Sequence, residues 1–100
     1  MEIEITKEKD INIVSIIGRL DTTTAGDFEK AISPLFYNGS NIVFDCSNLS
    51  YISSSGLRIF LMAYKRLSMM GGSLLVRHVC DDIMDVFNMT GFGTILRIEN

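Results

Sequence analysis

Apolar and charged residues alternate at the start of the chain, where Ile3 and Ile5 stand between polar neighbours. This period of two is typical of a half-buried strand. A polar turn at 8–10 leads into a second run, Ile11 to Ile17, that is rich in β-branched residues. The two runs predict an antiparallel hairpin, and Gly18 is expected to end the second strand.

A helical pattern follows the hairpin. Threonines and an aspartate precede it, and Thr24 with Asp27 resembles a capping box, so the helix is expected to begin there. Pro34 lies inside the apolar period, and proline in a helix interior costs about 3 kcal/mol. We therefore expect this helix to break near Ser33.

Two further segments have the spacing of amphipathic helices. The first is expected from about Ser54 to Met70 and to end at Gly71-Gly72. The second is expected to be capped by Asp81 or Asp82 and to stop at Gly91. The predicted inward face of the longer helix consists of Leu57, Phe60, Leu61, Tyr64 and Leu67.

Short apolar runs separate the helices and predict the remaining strands. They are Ile42 to Cys46, Leu74 to Val76, and a closing strand that contains Ile95, Leu96 and Ile98. The predicted order is ββαβαβαβ. Alternation of strands and helices implies right-handed crossovers, so we predict an α/β fold: a mixed, mostly parallel sheet of about five strands with an N-terminal hairpin, packed with three main helices.

Composition narrows the class of protein. A chain of 100 residues that is 47% hydrophobic is expected to form a single domain over residues 1–100. Its net charge of −3 argues against a nucleic-acid partner, which needs a basic surface. No stretch approaches the roughly 20 apolar residues of a membrane span, so direct membrane insertion is not expected.

The cysteines and the histidine do not form a sequence pattern typical of a metal site. The charged N-terminus is unlike a signal peptide, so a cytoplasmic location with Cys46 and Cys80 as reduced thiols is expected. His78 is the only histidine and there is no C-x-x-C pair, which argues against a metal site. Glycine-rich phosphate loops are missing as well, so no cofactor is predicted.

Three consecutive serines, Ser53, Ser54 and Ser55, form the most informative feature of the chain. They stand at the predicted start of a helix, where free N–H groups and the helix dipole favour negative charge. A hydroxyl there can accept a phosphate, which adds roughly −1.5 to −2 of charge. If strand order joins this loop to the one after the second strand, one surface holds Asp21, Thr22, Thr23, Ser53, Ser54 and Ser55.

Two other interpretations of the serines stand beside this one. Serines before a helix are commonly N-caps worth about 1 kcal/mol, and one of the three suffices for that role. A catalytic serine is disfavoured, because the local sequence I-S-S-S-G-L is not the G-x-S-x-G elbow and His78 is the only imidazole base. The residues therefore favour a regulated binding surface over an enzyme.

At these positions the chain resembles the STAS family of small bacterial anti-sigma factor antagonists. The resemblance covers essentially the whole chain. It is carried by Gly18-Arg19-Leu20-Asp21, Phe44-Asp45-Cys46-Ser47, Tyr51-Ile52-Ser53-Ser54-Ser55-Gly56-Leu57, Gly71-Gly72 and Phe87-Asn88-Met89-Thr90-Gly91.

The resemblance implies a partner-switching regulator whose unmodified form binds an anti-sigma factor with a serine-kinase ATPase fold and so releases a sigma factor. It implies that phosphorylation of Ser54 blocks this binding and that a phosphatase reverses it. Family members that are kinase substrates commonly carry an acidic residue where this chain has Ser53. The implied partner-binding residues are Asp21, Thr22, Thr23, Ser53, Ser55, Gly56 and Arg58.

Two alternatives remain open at this point. The family also includes accessory subunits of membrane lipid-transport complexes with an ATPase component, which need no phosphorylation. A small-ligand or nucleotide sensor is the other, although no sequence motif points to it.

Overall fold

The structure, a computed structural model, describes residues 1–99. Strand β1 (Glu2–Glu8) pairs antiparallel with β2 (Ile11–Leu20), which confirms the predicted hairpin. Ile5 is 43% exposed, so the expectation of a half-buried strand was wrong at this position. Strand β1 lies at the edge of the sheet, and its extensive contacts are with β2 rather than with a helix that would cover its face. The second strand also continues past Gly18 to Leu20 instead of ending at the glycine.

The remaining strands extend the sheet in parallel. They are β3 (Asn41–Asp45), β4 (Leu49–Ile52), β5 (Ser73–Arg77) and β6 (Ile98–Glu99). The strand order is β1-β2-β3-β5-β6, and β4 pairs separately with the far end of β2. The mixed, mostly parallel sheet is therefore confirmed, whereas β4 was not predicted.

Within residues 1–99, four helices connect the strands. They are α1 (Ala25–Ile32), α2 (Ser54–Met69), α3 (Asp81–Thr90) and the short α4 (Phe92–Ile95). A 3-10 turn at Ser33–Leu35 follows α1 with Pro34 near its start, which confirms the predicted break. Gly91 ends α3 in the left-handed conformation at φ 81°, as expected for a glycine cap.

Three local expectations were wrong. Thr24 makes no side-chain cap on α1, because its hydroxyl donates to the Arg19 carbonyl and accepts from the Asp21 amide. Asp81 and Asp82 lie inside the first turn of α3, and Cys80 occupies the N-cap position. In the first turn their negative charges interact favourably with the helix dipole. Residue 95 belongs to α4, so within residues 1–99 the closing strand begins only at Ile98.

A cluster of four phenylalanines ties the helices to the sheet. Phe44 on β3 lies 5.4 Å from the ring of Phe28 on α1 and 4.8 Å from Phe60 on α2, measured between centroids. Phe87 on α3 lies 6.1 Å from Phe60. All four side chains are fully buried, so the three main helices share one core on the same face of the sheet.

Candidate functional site

Strand β4 joins the two polar loops that the sequence analysis singled out. The Gly18 amide donates to the Asn48 carbonyl at 2.9 Å, and the Ser50 hydroxyl donates to the Gly18 carbonyl at 2.9 Å. Beyond this point the Ser53 amide donates to the Leu20 carbonyl at 2.9 Å. The loop after β2 and the start of α2 therefore lie side by side on one surface.

Two glycines make this close approach feasible. Gly18 has a backbone φ of 97°, which residues other than glycine rarely adopt. The register between β2 and β4 shifts directly after this residue. Gly56 packs directly on β2, since a Cβ there would meet Leu20 Cγ at 2.8 Å and Ile52 Cγ1 at 2.9 Å. Glycine at 56 therefore allows the first turn of α2 to sit against the sheet.

Asp21 organises the loop before α1. Its carboxylate accepts hydrogen bonds from the Thr23 hydroxyl at 2.7 Å, the Thr23 amide at 3.0 Å and the Thr24 amide at 3.2 Å. The bond from the Thr23 hydroxyl is the main cause that holds the pKa of this carboxyl below its usual value. Asp21 is therefore a fixed negative charge at the edge of the surface.

Arg19 and Tyr51 belong to this surface, and sequence reasoning did not select either of them. The Arg19 guanidinium lies 4.1 Å from the centre of the Tyr51 ring, and its Nε is 3.7 Å from Asp21 Oδ2. The only sequence feature that could have indicated them as site residues is the position of Tyr51, two residues before Ser53. Its half-exposed ring shows that this surface is partly apolar.

The three serines have different environments. Ser53 is the N-cap of α2, and its hydroxyl accepts from the Gly56 amide at 3.3 Å. Ser55 Oγ lies 3.5 Å from the exposed Thr22 Oγ1 across the two loops. Ser54 is exposed, and among residues 1–99 its hydroxyl has no hydrogen-bond partner. The central serine is thus the one of the three that is exposed and whose hydroxyl has no hydrogen-bond partner in the described part of the chain.

Arg58 lies one helical turn after Ser54, on the same side of α2. Its side chain is exposed and forms no ion pair within the described part of the chain. Both residues line a depression of about 290 Å³ between α2 and the junction of α3 with α4. The first N–H groups of α2 and this guanidinium therefore make the surroundings of Ser54 electropositive.

His78, the candidate base, belongs to a different part of the molecule. It follows β5 and, with Arg77, lies close enough to Asp45 to lower the pKa of that carboxyl. No hydrogen bond joins His78 to Ser54 among residues 1–99. In the same range no group of three or more potential metal-ligating side chains occurs, and none of the helices is long and apolar enough to cross a membrane.

The fold is therefore an α/β domain that presents the exposed Ser54 at the start of α2. The chain matches the model of the STAS domain over residues 2–100 and therefore belongs to the STAS domain family. This confirms the resemblance on which the sequence analysis relied.

Known relatives fit this assignment. The anti-sigma-B factor antagonist of Bacillus subtilis is 30% identical over 92 residues, which cover 92% of this chain and 84% of that protein. The crystal structure of an anti-sigma factor antagonist from Mycobacterium paratuberculosis has a TM-score of 0.87 at 22% identity, covering 97% of this chain and 83% of that chain.

A structure of the Bacillus cell fate determinant SpoIIAA in its phosphorylated form also has this fold. Its TM-score is 0.75 at 19% identity, covering 99% of this chain and 92% of that chain. Of the site residues named from the sequence, Asp21, Thr22 and Thr23 lie beside Ser53, Ser54 and Ser55. Arg58 lines the adjacent depression with Ser54, and Gly56 is buried beneath the serines.

Proposed function

We propose that this protein is an anti-sigma factor antagonist of a cytoplasmic partner-switching pathway. In its unmodified form it binds an anti-sigma factor with a serine-kinase ATPase fold, and a sigma factor is released. Phosphorylation of Ser54 blocks that binding, and a phosphatase restores it. The observation that carries the proposal is the exposed Ser54 hydroxyl, which has no partner among the described residues while Ser53 performs the capping.

This division of roles lets Ser54 change without loss of the fold. The cap of α2 and the hydrogen bond to β2 are both made by Ser53. Its hydroxyl accepts from the Gly56 amide, and its own amide donates to the Leu20 carbonyl. Ser53 also stands where kinase substrates of the family carry an acidic residue, so here that position supplies the cap through a hydroxyl. Modification of Ser54 therefore acts on the surface and leaves the packing below unchanged.

Electrostatics explain how a phosphate would interrupt binding. The amides of the first turn of α2 and the guanidinium of Arg58 would hold it at the surface, opposite the fixed charge of Asp21. A phosphate carries roughly −1.5 to −2 of charge, which the single guanidinium of Arg58 does not neutralise. A partner that covers the site would bury the remaining negative charge without a cation of its own, at a cost of about 2–5 kcal/mol, which weakens binding by tens to thousands of fold.

The proposal is tested by capture of partners from native lysate with three forms of the protein, followed by mass spectrometry. Wild type and Ser54→Ala are expected to recover the same kinase-fold partner, and Ser54→Asp is expected to lose it. Ser33→Asp is the matched control, because it adds the same charge at an exposed serine at the other end of α1.

Equal capture of the kinase-fold partner by Ser54→Asp and wild type would contradict the switch. Recovery of a membrane transport assembly by both forms would instead favour the accessory-subunit role. In that case Ser54 would simply be a first-turn residue of α2.

A further inference from the structure

The outward face of α2 is unusual for a surface helix. Residues on the inner side of α2, such as Phe60, Ala63 and Leu67, are buried in the core. The opposite side carries a continuous stripe at spacings of three and four residues, where polar side chains are the norm. We call this stripe the α2 groove, and its members are Ser54, Arg58, Leu61, Met62, Lys65, Arg66 and Met69.

Two depressions make the stripe concave. The first, of about 290 Å³, begins at Ser54 and is closed on one side by Thr90 and Phe92. The second, of about 280 Å³, continues along the helix as far as Met69. They are contiguous, because Arg58 and Leu61 line both.

The α2 groove is apolar at its base. Leu61 and Met62 are only half-buried, and Met69 is 87% exposed. Exposed apolar side chains that line a depression, unlike single scattered ones, mark interaction sites. Unbranched methionines suit such surfaces because they adapt to the shape of the ligand.

The charge of the groove is entirely positive. Helix α2 carries Arg58, Lys65 and Arg66 and no carboxylate, although the whole chain has a net charge of −3. The guanidinium of Arg66 is also held in place, at 4.4 Å from the centre of the Phe36 ring. Three of the nine cations of the chain therefore flank one apolar depression.

We propose that the α2 groove is a docking surface for an acidic amphipathic helix of the partner protein. The apolar base accepts leucine-like side chains at helical spacing, and the three cations pair with glutamates or aspartates that flank them. From Ser54 to Met69 the groove runs over 16 residues of helix, so its length of about 22 Å matches a partner segment of about 15 residues.

A second copy of this chain fits the groove less well. The acidic helix available in this protein is α3, which carries Asp81, Asp82 and Asp85. Its outward side, however, offers one strongly exposed apolar residue, Met89, while Ile83 and Phe87 face the core. A helix with a single apolar contact does not fill two contiguous depressions.

The inference deepens the proposed function and rests on it for the identity of the partner. Ser54 lies at one end of the groove and Arg58 is shared by both depressions. A phosphate on Ser54 would bind the Arg58 guanidinium, which is also one of the cations that pair with the acidic helix. Docking in the groove and modification of the serine would then exclude one another.

The test uses a fluorescein-labelled 15-residue helical peptide with leucines at every third or fourth position and glutamates between them, titrated into the folded protein. A matched peptide has lysine for every glutamate. We expect the glutamate peptide to bind and the lysine peptide not to bind. The double variant Arg58→Gln, Lys65→Gln is expected to weaken binding roughly tenfold, and Lys30→Gln on α1 is expected to have no effect.

The same double variant is then used in the partner capture experiment. Loss of the kinase-fold partner supports the groove as its docking surface. Retained capture together with loss in Ser54→Asp would overturn the groove and leave the proposed function intact. Equal binding of both peptides, binding of neither, or a dimer in sedimentation that the double variant dissociates would also overturn it, the last in favour of a second copy.

Discussion

Gly56 lies directly against Leu20, so that a Cβ at position 56 would come within 2.8 Å of Leu20 Cγ. Gly56→Ala must therefore push α2 away from β2 or displace a buried side chain. We expect a loss of about 1–3 kcal/mol in the free energy of unfolding, measured by urea denaturation. Gly26→Ala is the control, because a Cβ there meets nothing within 4 Å and α1 gains a better helix former. Equal effects of the two substitutions would contradict this packing argument.

The serines at the start of α2 are expected to separate into structural and regulatory positions. Ser53→Ala removes the hydroxyl that accepts from the Gly56 amide, so it should cost about 0.5–2 kcal/mol of stability. Ser54→Ala removes no hydrogen bond and should stay within about 0.5 kcal/mol of wild type. Thermal and urea unfolding of both variants decide this. A larger loss from Ser54→Ala would show that the central serine is part of the scaffold.

A phosphate on Ser54 is expected to be stabilised by Arg58, one turn further along α2. Phosphoserine can be installed at position 54 during translation. The second pKa of its phosphate, normally near 6, can then be measured by ³¹P NMR. Arg58→Gln removes a neighbouring cation and should raise that pKa. Lys65→Gln, about three turns from Ser54, should change it less. The same pKa with and without Arg58 would exclude the contact.

Asp45 is expected to make stability depend on pH on the acid side. Partial burial raises the pKa of its carboxyl, but hydrogen bonds from the Ser47 hydroxyl and amide, with His78 and Arg77 nearby, bring it below its usual value. A carboxyl with a lowered native pKa stabilises the fold above its unfolded pKa, and this contribution is lost as pH falls through the native one.

Asp45→Asn keeps an acceptor oxygen for Ser47 and removes the charge. The variant should therefore be less stable than wild type near pH 7, and the difference should shrink as the pH approaches about 3. Urea midpoints at both values measure this. A difference that does not change with pH would contradict a role for the charge.

The two thiols are expected to differ strongly in reactivity. Cys46 is fully buried, and burial raises the pKa of its thiol to about 12, whereas Cys80 is exposed before α3. Since the thiolate is the reactive form, a disulfide reagent should modify one thiol in the native protein and both in denaturant. Cys80→Ser should then leave no rapidly reacting thiol. Fast native labelling of that variant would show that the sheet opens near Cys46.

The sequence predicted those elements that have a clear apolar period or an uninterrupted apolar run. The hairpin, α2 and α3 have such periods, and β3 and β5 are such runs. Pro34 marked the end of α1 because its ring cannot continue a helix. Strand β4 escaped prediction because it has four residues, of which the two outer ones, Leu49 and Ile52, are buried. That spacing matches neither a strand period nor a helix period over so short a stretch.

Part of the site was also predictable from local features of the sequence. The serines and Asp21 were chosen from the chemistry of helix starts, but only the pairing of β4 with β2 brings their loops together. Arg19 and Tyr51 could not be found from local patterns, because their contact depends on that pairing. The α2 groove was missed because Leu61 was assigned to the core, whereas it is only half-buried and Met69 is among the most exposed side chains.

Ser54 is the first residue of α2 and follows the N-cap Ser53, which is hydrogen-bonded to both Leu20 and Gly56. An enzyme that transfers a group to this serine therefore meets a folded surface rather than a pliable segment. The surrounding shape, contributed by chain segments far apart in sequence, becomes part of what is recognised. A peptide copied from residues 50–58 lacks that shape and would be a poor substrate, so modification would report on whether the whole domain is folded.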